Sequence, residues 1–215
     1  MPVPDHLGNG QSTESNLYWG AMYGVKSQFK RSGDWQFVKK ISGVQYPILE
    51  RLLFKHATSD TYIMADAYDG RDIKRCTIDF LDACSGNGMV EIVHEDNSLR
   101  FGGCSQLVAY AGHDGLMEFS LDETFEAKDS KKRQAMILAC VSKEYFAPYL
   151  KQTGAEPLVW TTQLMAPEAY TLEWAMTKWA EGGSDAEVYH RAAEAYSHYQ
   201  KCSLSASMRL LISGY

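Results

Sequence analysis

Residues 107–117 read LVAYAGHDGLM, an apolar run that ends at Gly112 and leads directly into His113. A short apolar run bounded by glycine is typical of a buried β-strand. A second apolar run, AMILAC at residues 135–140, ends at Cys140. If the two strands are parallel neighbours, both side chains emerge at the same edge of one sheet. The two stretches therefore predict a sheet that presents an imidazole and a thiol together.

The rest of the chain alternates between strand-like and helical patterns. Strands are predicted at residues 17–23, 35–41, 61–67, 106–111 and 157–162, and helices at residues 47–55, 71–83, 167–180 and, in one or two pieces, 184–212. Several of the strands are apolar on both faces, which favours an α/β fold with a largely parallel central sheet flanked by helices on both faces.

The length of 215 residues is usual for one α/β domain. We expect a flexible N-terminal arm at residues 1–15, followed by a single domain at residues 16–215 whose C-terminal region, about 184–213, is helical. Nothing in the sequence indicates the oligomeric state.

The formal net charge is −6, whereas nucleic acids and anionic membranes bind clustered Lys and Arg. The one basic cluster, residues 131–133, is interpreted as a solvated loop, with a processing site as the alternative. No apolar run approaches the length of a membrane span, and no secretory leader opens the sequence. These features predict a cytoplasmic protein with neither a nucleic-acid nor a membrane partner.

Five cysteines are scattered along the chain without a CxxC pair: Cys76, Cys84, Cys104, Cys140 and Cys202. Such a set suits a reducing compartment better than a disulfide framework. No His or Cys has metal-ligand spacing to another, so we predict neither a metal nor an organic cofactor.

The histidine and cysteine stretches resemble the paired blocks of the caspase-like (clan CD) cysteine peptidases, the group of caspases, metacaspases, legumains, clostripain and gingipains. There, one apolar strand ends in His-Gly and a later one in Ala-Cys, the order found here, although Asp114 separates His113 from Gly115 in this chain. The resemblance implies a caspase-like three-layer sandwich that cleaves protein or peptide substrates. It implies Cys140 as nucleophile, His113 as catalytic base or acid, and the Gly115 and Cys140 N–H groups as oxyanion donors.

The residue types at the two strand ends suit this chemistry. A nearby imidazole raises the thiolate fraction of a cysteine or takes its proton during attack. Ser142 is expected to cap a helical turn, whose backbone N–H groups would also favour a thiolate at Cys140.

Substrate selection is expected to involve acidic residues. Asp66 and Asp69 are placed to bind an Arg or Lys side chain before the cleaved bond, although Asp69-Gly70 is equally well explained as a turn. The resemblance implies a second pocket wall at Trp160 and Thr161, since the strand after the nucleophile lines the cleft in this group.

Two other function classes remain open. The chain is alternatively a non-catalytic caspase-like interaction module, in which Cys140 is buried and unreactive. It is otherwise a different α/β cysteine hydrolase, such as an amidase or glutaminase. Such enzymes place the nucleophile on a glycine-flanked elbow, which Ala-Cys-Val-Ser at residues 139–142 lacks.

Overall fold

The computed structural model describes residues 8–166 and 168–215 of a mixed α/β chain. In chain order the elements are α1 (Val25–Arg31), β1 (Trp35–Ile41), β2 (Ile48–His56), β3 (Tyr62–Tyr68), α2 (Ile73–Ser85), β4 (Val90–His94), β5 (Asn97–Phe101), β6 (Leu107–Ala111), β7 (Gln134–Leu138), α3 (Ser142–Thr153), β8 (Glu156–Thr161), α4 (Tyr170–Ala180), α5 (Asp185–Gln200), α6 (Leu204–Leu210) and β9 (Leu211–Ile212).

The chain divides into two compact units. Of the described residues, one unit contains 8–73, 166 and 168–211, and the other contains 74–165 and 212–215. The predicted single domain at residues 16–215 thus spans both units. Part of the predicted flexible arm, residues 1–7, lies outside the described residues. Within residues 8–15 the chain forms turns, and the Gly10 carbonyl accepts a hydrogen bond from Gly70 N–H at 3.0 Å.

The first unit contains the antiparallel sheet β1-β2-β3. The helix predicted at residues 47–55 is wrong, because this segment forms the central strand β2. Leu52, Leu53 and Phe54 are consecutive and all buried. Both faces of the strand are therefore covered, whereas an amphipathic helix would bury one stripe. Pairing with strands on both sides overrides the helix-like spacing of the apolar residues.

The strand predicted at residues 17–23 is also wrong. Here the chain curls around Asn16, whose carbonyl accepts hydrogen bonds from the N–H groups of Trp19, Gly20 and Ala21. The Asn16 side chain accepts another from Tyr18 N–H at 2.8 Å. An asparagine that binds nearby backbone groups in this way competes with strand formation.

The second unit contains the parallel strands β6, β7 and β8 of the four-stranded sheet β6-β7-β8-β9. The strands predicted at residues 106–111 and 157–162, and the strand predicted from the apolar run at residues 135–140, are confirmed. Phe80 of α2, Tyr110 of β6 and Phe146 of α3 are buried, with ring centroids 5.3–5.9 Å apart. This aromatic contact joins both helices to the strand that leads to His113.

The connection from β6 to β7 is not a helix, although a parallel crossover usually is one. Between the strands the described chain forms a 3-10 turn at Gly115–Met117 and then runs on without regular structure. Its backbone is attached to α3, because Leu121 N–H donates to Tyr149 Oη and Phe125 N–H donates to Gln152 Oε1. Hydrogen bonds to side chains of α3 thus hold the backbone of this connection, where a crossover helix would be held by its own backbone hydrogen bonds.

The basic cluster closes this connection. Lys131 and Lys132 are exposed, as expected of a solvated loop, but Arg133 is buried. The Arg133 guanidinium donates to the Gly103 carbonyl and to both carboxylate oxygens of Asp129. Arg133 is therefore a structural anchor at the start of β7.

No helix in residues 8–166 or 168–215 is both long and apolar enough to cross a membrane.

Candidate active site

The register of the sheet brings the predicted histidine and cysteine to one edge. Strands β6 and β7 are parallel, and Ala111 lies opposite Leu138. His113 and Cys140 each follow this paired position by two residues. The ladder extends beyond the strands, because Gly112 N–H donates to the Leu138 carbonyl at 3.2 Å. The expectation of neighbouring parallel strands is confirmed, and both residues leave the sheet at its carboxyl end.

Cys140 sits on a sharp turn between β7 and α3. Val141, the next residue, has φ 52° and ψ 28° and occupies the left-handed region. A β-branched residue is a true outlier there and costs on the order of 1–3 kcal/mol. The helix begins directly afterwards at Ser142. The geometry is a strand–turn–helix elbow made without a flanking glycine.

Two buried hydroxyls hold this turn. Ser142 Oγ donates to the Ile137 carbonyl at 2.8 Å and accepts from Thr161 N–H at 3.0 Å. In return, Ser142 N–H donates to Thr161 Oγ1 at 3.0 Å, and the Thr161 hydroxyl donates to the Ala139 carbonyl. The expected helix cap at Ser142 is wrong: Val141 is the N-cap position and provides no side-chain cap. The Ser142 hydroxyl instead joins the helix to the strand that precedes it.

The thiol of Cys140 is partly exposed and touches the segment after β8. Met165 N–H donates to Cys140 Sγ at 3.5 Å, and Sγ donates to the Met165 carbonyl at 3.8 Å. The sulfur is therefore in contact with both the N–H and the carbonyl of the same backbone residue.

His113 is exposed on the turn after β6, and both its backbone and its ring are held. The buried Tyr110 donates its hydroxyl to the His113 carbonyl at 2.7 Å. The His113 Nε2 atom lies 3.1 Å from Glu118 Oε1. The sequence did not single out Glu118, although an acid five residues after the histidine was a readable signal.

Asp114 is fully buried beside His113. Its Oδ1 accepts from Leu116 N–H at 3.0 Å and opens the 3-10 turn. Among the described residues Oδ2 has no hydrogen-bond partner. Burial raises the pKa of Asp114 to about 6, while the Leu116 hydrogen bond and the nearby His113 charge partly oppose this. The residue that interrupts the His-Gly motif is thus a buried carboxyl group with only one of its oxygens hydrogen-bonded among the described residues.

The two predicted oxyanion donors lie on turns. Neither the Gly115 N–H nor the Cys140 N–H is a donor among the backbone hydrogen bonds of turns and loops in the described residues. Gly115 opens a 3-10 helix, and an N–H in the first turn of a helix has no partner within that helix.

The predicted specificity residues Asp66 and Asp69 belong to the first unit, and both already bind an arginine. Asp66 lies opposite Arg51 in the β2–β3 ladder and accepts two hydrogen bonds from it at 2.6 Å. Asp69 is buried, caps a 3-10 turn and pairs with Arg71, which lowers the pKa of its carboxyl despite the opposing effect of burial. Carboxylates that are paired internally have little charge left to select a basic substrate, and for Asp69 the alternative of a turn residue fits.

Trp160 and Thr161 present no surface to a substrate, since both are fully buried. Trp160 donates its indole N–H to the Gly214 carbonyl at 3.0 Å and packs edge-on against Tyr215. Thr161 holds the nucleophile turn. These two residues therefore pack in the core beneath the site and do not line a cleft.

The described residues contain no group of three or more His, Cys, Asp or Glu side chains arranged to hold a metal ion. Comparison with protein-family models, with curated proteins and with solved structures finds no significant match to the chain. The function therefore has to follow from the geometry at the sheet edge.

Replacing Thr161 tests the hydroxyl pair. Thr161→Val keeps the shape of the side chain but leaves Ser142 N–H and the Ala139 carbonyl without their partner. We expect the free energy of unfolding, from urea denaturation, to fall by about 1–3 kcal/mol. Thr171→Val is the matched control, because the buried Thr171 hydroxyl has no hydrogen-bond partner among the described residues. An equal loss in both variants would contradict the assigned role of Thr161.

Replacing Asp114 tests its buried carboxyl. Because its folded pKa of about 6 exceeds the ordinary 3.8, wild-type stability is lost as the pH rises between these values. Asp114→Asn keeps the acceptor for Leu116 N–H and does not ionise. We expect the variant to be the more stable form above pH 6, by up to about 3 kcal/mol, and to match the wild type near pH 4. A stability difference that does not vary with pH would show that Asp114 is not desolvated.

Proposed function

We propose that the chain is a cysteine endopeptidase with a caspase-like three-layer α/β fold, in which Cys140 is the nucleophile and His113 the catalytic acid and base. The observation that carries the proposal is the parallel β6–β7 register, which brings both residues to the carboxyl edge of one sheet at the same level. The half-buried position of Cys140 and the exposed position of His113 support it.

The first half of the reaction forms an acyl-enzyme. The Cys140 thiol gives its proton to the His113 imidazole, and sulfur attacks the carbonyl carbon of the substrate. The carbonyl π electrons move to oxygen, and the N–H groups of Gly115 and Cys140 donate to the resulting oxyanion. When the oxyanion collapses, the C–N bond breaks and His113 protonates the departing amine.

The second half restores the enzyme. Water gives a proton to His113 and attacks the thioester carbon, and the same two N–H groups hold the second oxyanion. Collapse breaks the C–S bond, sulfur leaves as the thiolate, and His113 returns the proton to it. Removing either Cys140 or His113 stops both halves, so their losses are not additive.

The substrate class is a protein or peptide. A preference for Arg or Lys would require a free carboxylate, and the two predicted ones already hold arginines. The five cysteines are all unpaired, which supports the reducing, cytoplasmic location expected from the sequence.

A second candidate is favoured by one observation, the left-handed backbone at Val141. A strained strand-to-helix turn that exposes a nucleophile is the feature shared by many α/β hydrolases and amidases. Release of ammonia from glutamine or from a primary amide, with no cleavage of internal peptide bonds, would identify this activity.

Covalent labelling tests the proposal. We expect a peptidyl epoxide to modify Cys140 ahead of the other partly exposed thiols, Cys76, Cys104 and Cys202, because only Cys140 is predicted to have an imidazole partner. Peptide mapping by mass spectrometry locates the adduct. Cys140→Ala and His113→Ala should each lower cleavage of an unstructured protein on the order of 10³-fold or more, with the fold intact by circular dichroism.

Cys104→Ala is the matched control, since Cys104 is also a partly exposed thiol of the second unit, and it should keep full activity. An unreactive Cys140 in a folded protein that cleaves nothing would contradict the proposal and favour the interaction module.

A further inference from the structure

The acid that contacts His113 lies on the same turn as the histidine. Glu118 follows it by five residues, beyond the 3-10 turn at Gly115–Met117. Glu118 Oε1 is 3.1 Å from His113 Nε2. Because an ionised carboxylate only accepts hydrogen bonds, Nε2 is the ring nitrogen that carries the proton. The lone pair of the neutral ring is then on Nδ1.

The backbone fixes this contact. Glu118 N–H donates to the Gly115 carbonyl at 2.9 Å, which reverses the chain and returns Glu118 towards His113. The backbone near His113 is also held. Tyr110 donates its hydroxyl to the His113 carbonyl, and Asp114 accepts a hydrogen bond from Leu116 N–H. In the described part of the chain nothing else is hydrogen-bonded to the His113 ring. Glu118 is therefore the group that selects the tautomer.

We propose that Glu118 is the positioning residue of the catalytic base: it holds His113 with Nε2 protonated, so that Nδ1 is the nitrogen that accepts the Cys140 proton. This inference rests on the proposed peptidase function. The S–H bond breaks as the Nδ1–H bond forms, and the ring becomes an imidazolium whose Nε2–H remains on Glu118. The Nδ1 proton then passes to the substrate nitrogen as the C–N bond breaks.

The charge of Glu118 contributes a second effect. Its negative charge stabilises the imidazolium that forms when Cys140 is deprotonated. Both side chains are partly exposed, at 43% for His113 and 36% for Glu118, so water screens the attraction. We expect loss of the carboxylate to lower kcat about fivefold, the size of an exposed ion pair. KM should not change, because Glu118 is not assigned a contact with the substrate.

The test is the tautomer of His113, read from long-range ¹H–¹⁵N correlations at a pH where the ring is neutral. His113→Gln assigns the signal among the six histidines. The wild type should carry its proton on Nε2, and Glu118→Ala should give a mixture of both tautomers. Glu118→Gln keeps an acceptor but loses the charge, so it should retain the Nε2 tautomer with an intermediate kcat. Glu126→Ala, which removes another exposed acid of the same connection, should match the wild type in both measurements.

The outcomes separate this inference from the function on which it rests. An unchanged His113 tautomer in Glu118→Ala overturns the positioning role, whatever the activity. A changed tautomer together with a fivefold loss in kcat supports it. A changed tautomer in a chain whose wild-type form neither cleaves peptides nor labels at Cys140 supports the contact between Glu118 and His113 and contradicts the peptidase function.

Discussion

The parallel hydrogen bonding between β6 and β7 is the constraint on which the site depends. A one-residue slip in this register would send one of the two site residues to the opposite face of the sheet. The Gly112–Leu138 hydrogen bond extends the pairing past the strand ends, where side chains usually begin to diverge. The short connection that joins the strands lacks a crossover helix and is fixed instead by side chains of α3 and by the buried Arg133.

Local strain gathers at the end of these two strands. Val141 occupies a backbone region that β-branched residues avoid, and the buried Asp114 has an oxygen with no partner among the described residues. Each costs stability, and the Val141 backbone persists because surrounding hydrogen bonds hold the turn in place. For Val141 these bonds come from the buried pair Ser142 and Thr161. Such concentration of broken local rules in one place is typical of a functional site.

Strands could be predicted from the sequence where the pattern of apolar residues fits only one type of secondary structure. The runs that became β6, β7 and β8 are continuously apolar and end at turns, so the parallel strands and the position of His113 and Cys140 at one edge of the sheet could be predicted. Residues 47–55 could not, because their apolar spacing fits a helix and a doubly buried strand equally well. The partner of Asp66 could not be predicted either. Arg51 becomes the neighbour of Asp66 only through the antiparallel register, which no local pattern encodes.

A crystal structure with a covalently bound peptidyl ketone would show whether Cys140 and His113 act together. We expect a bond between Cys140 Sγ and the former carbonyl carbon. We also expect the oxyanion about 3 Å from the N–H groups of Gly115 and Cys140, and the His113 ring within hydrogen-bond reach of the adduct. An adduct on another cysteine, or an adduct on Cys140 with the His113 ring directed away from it, would contradict the account.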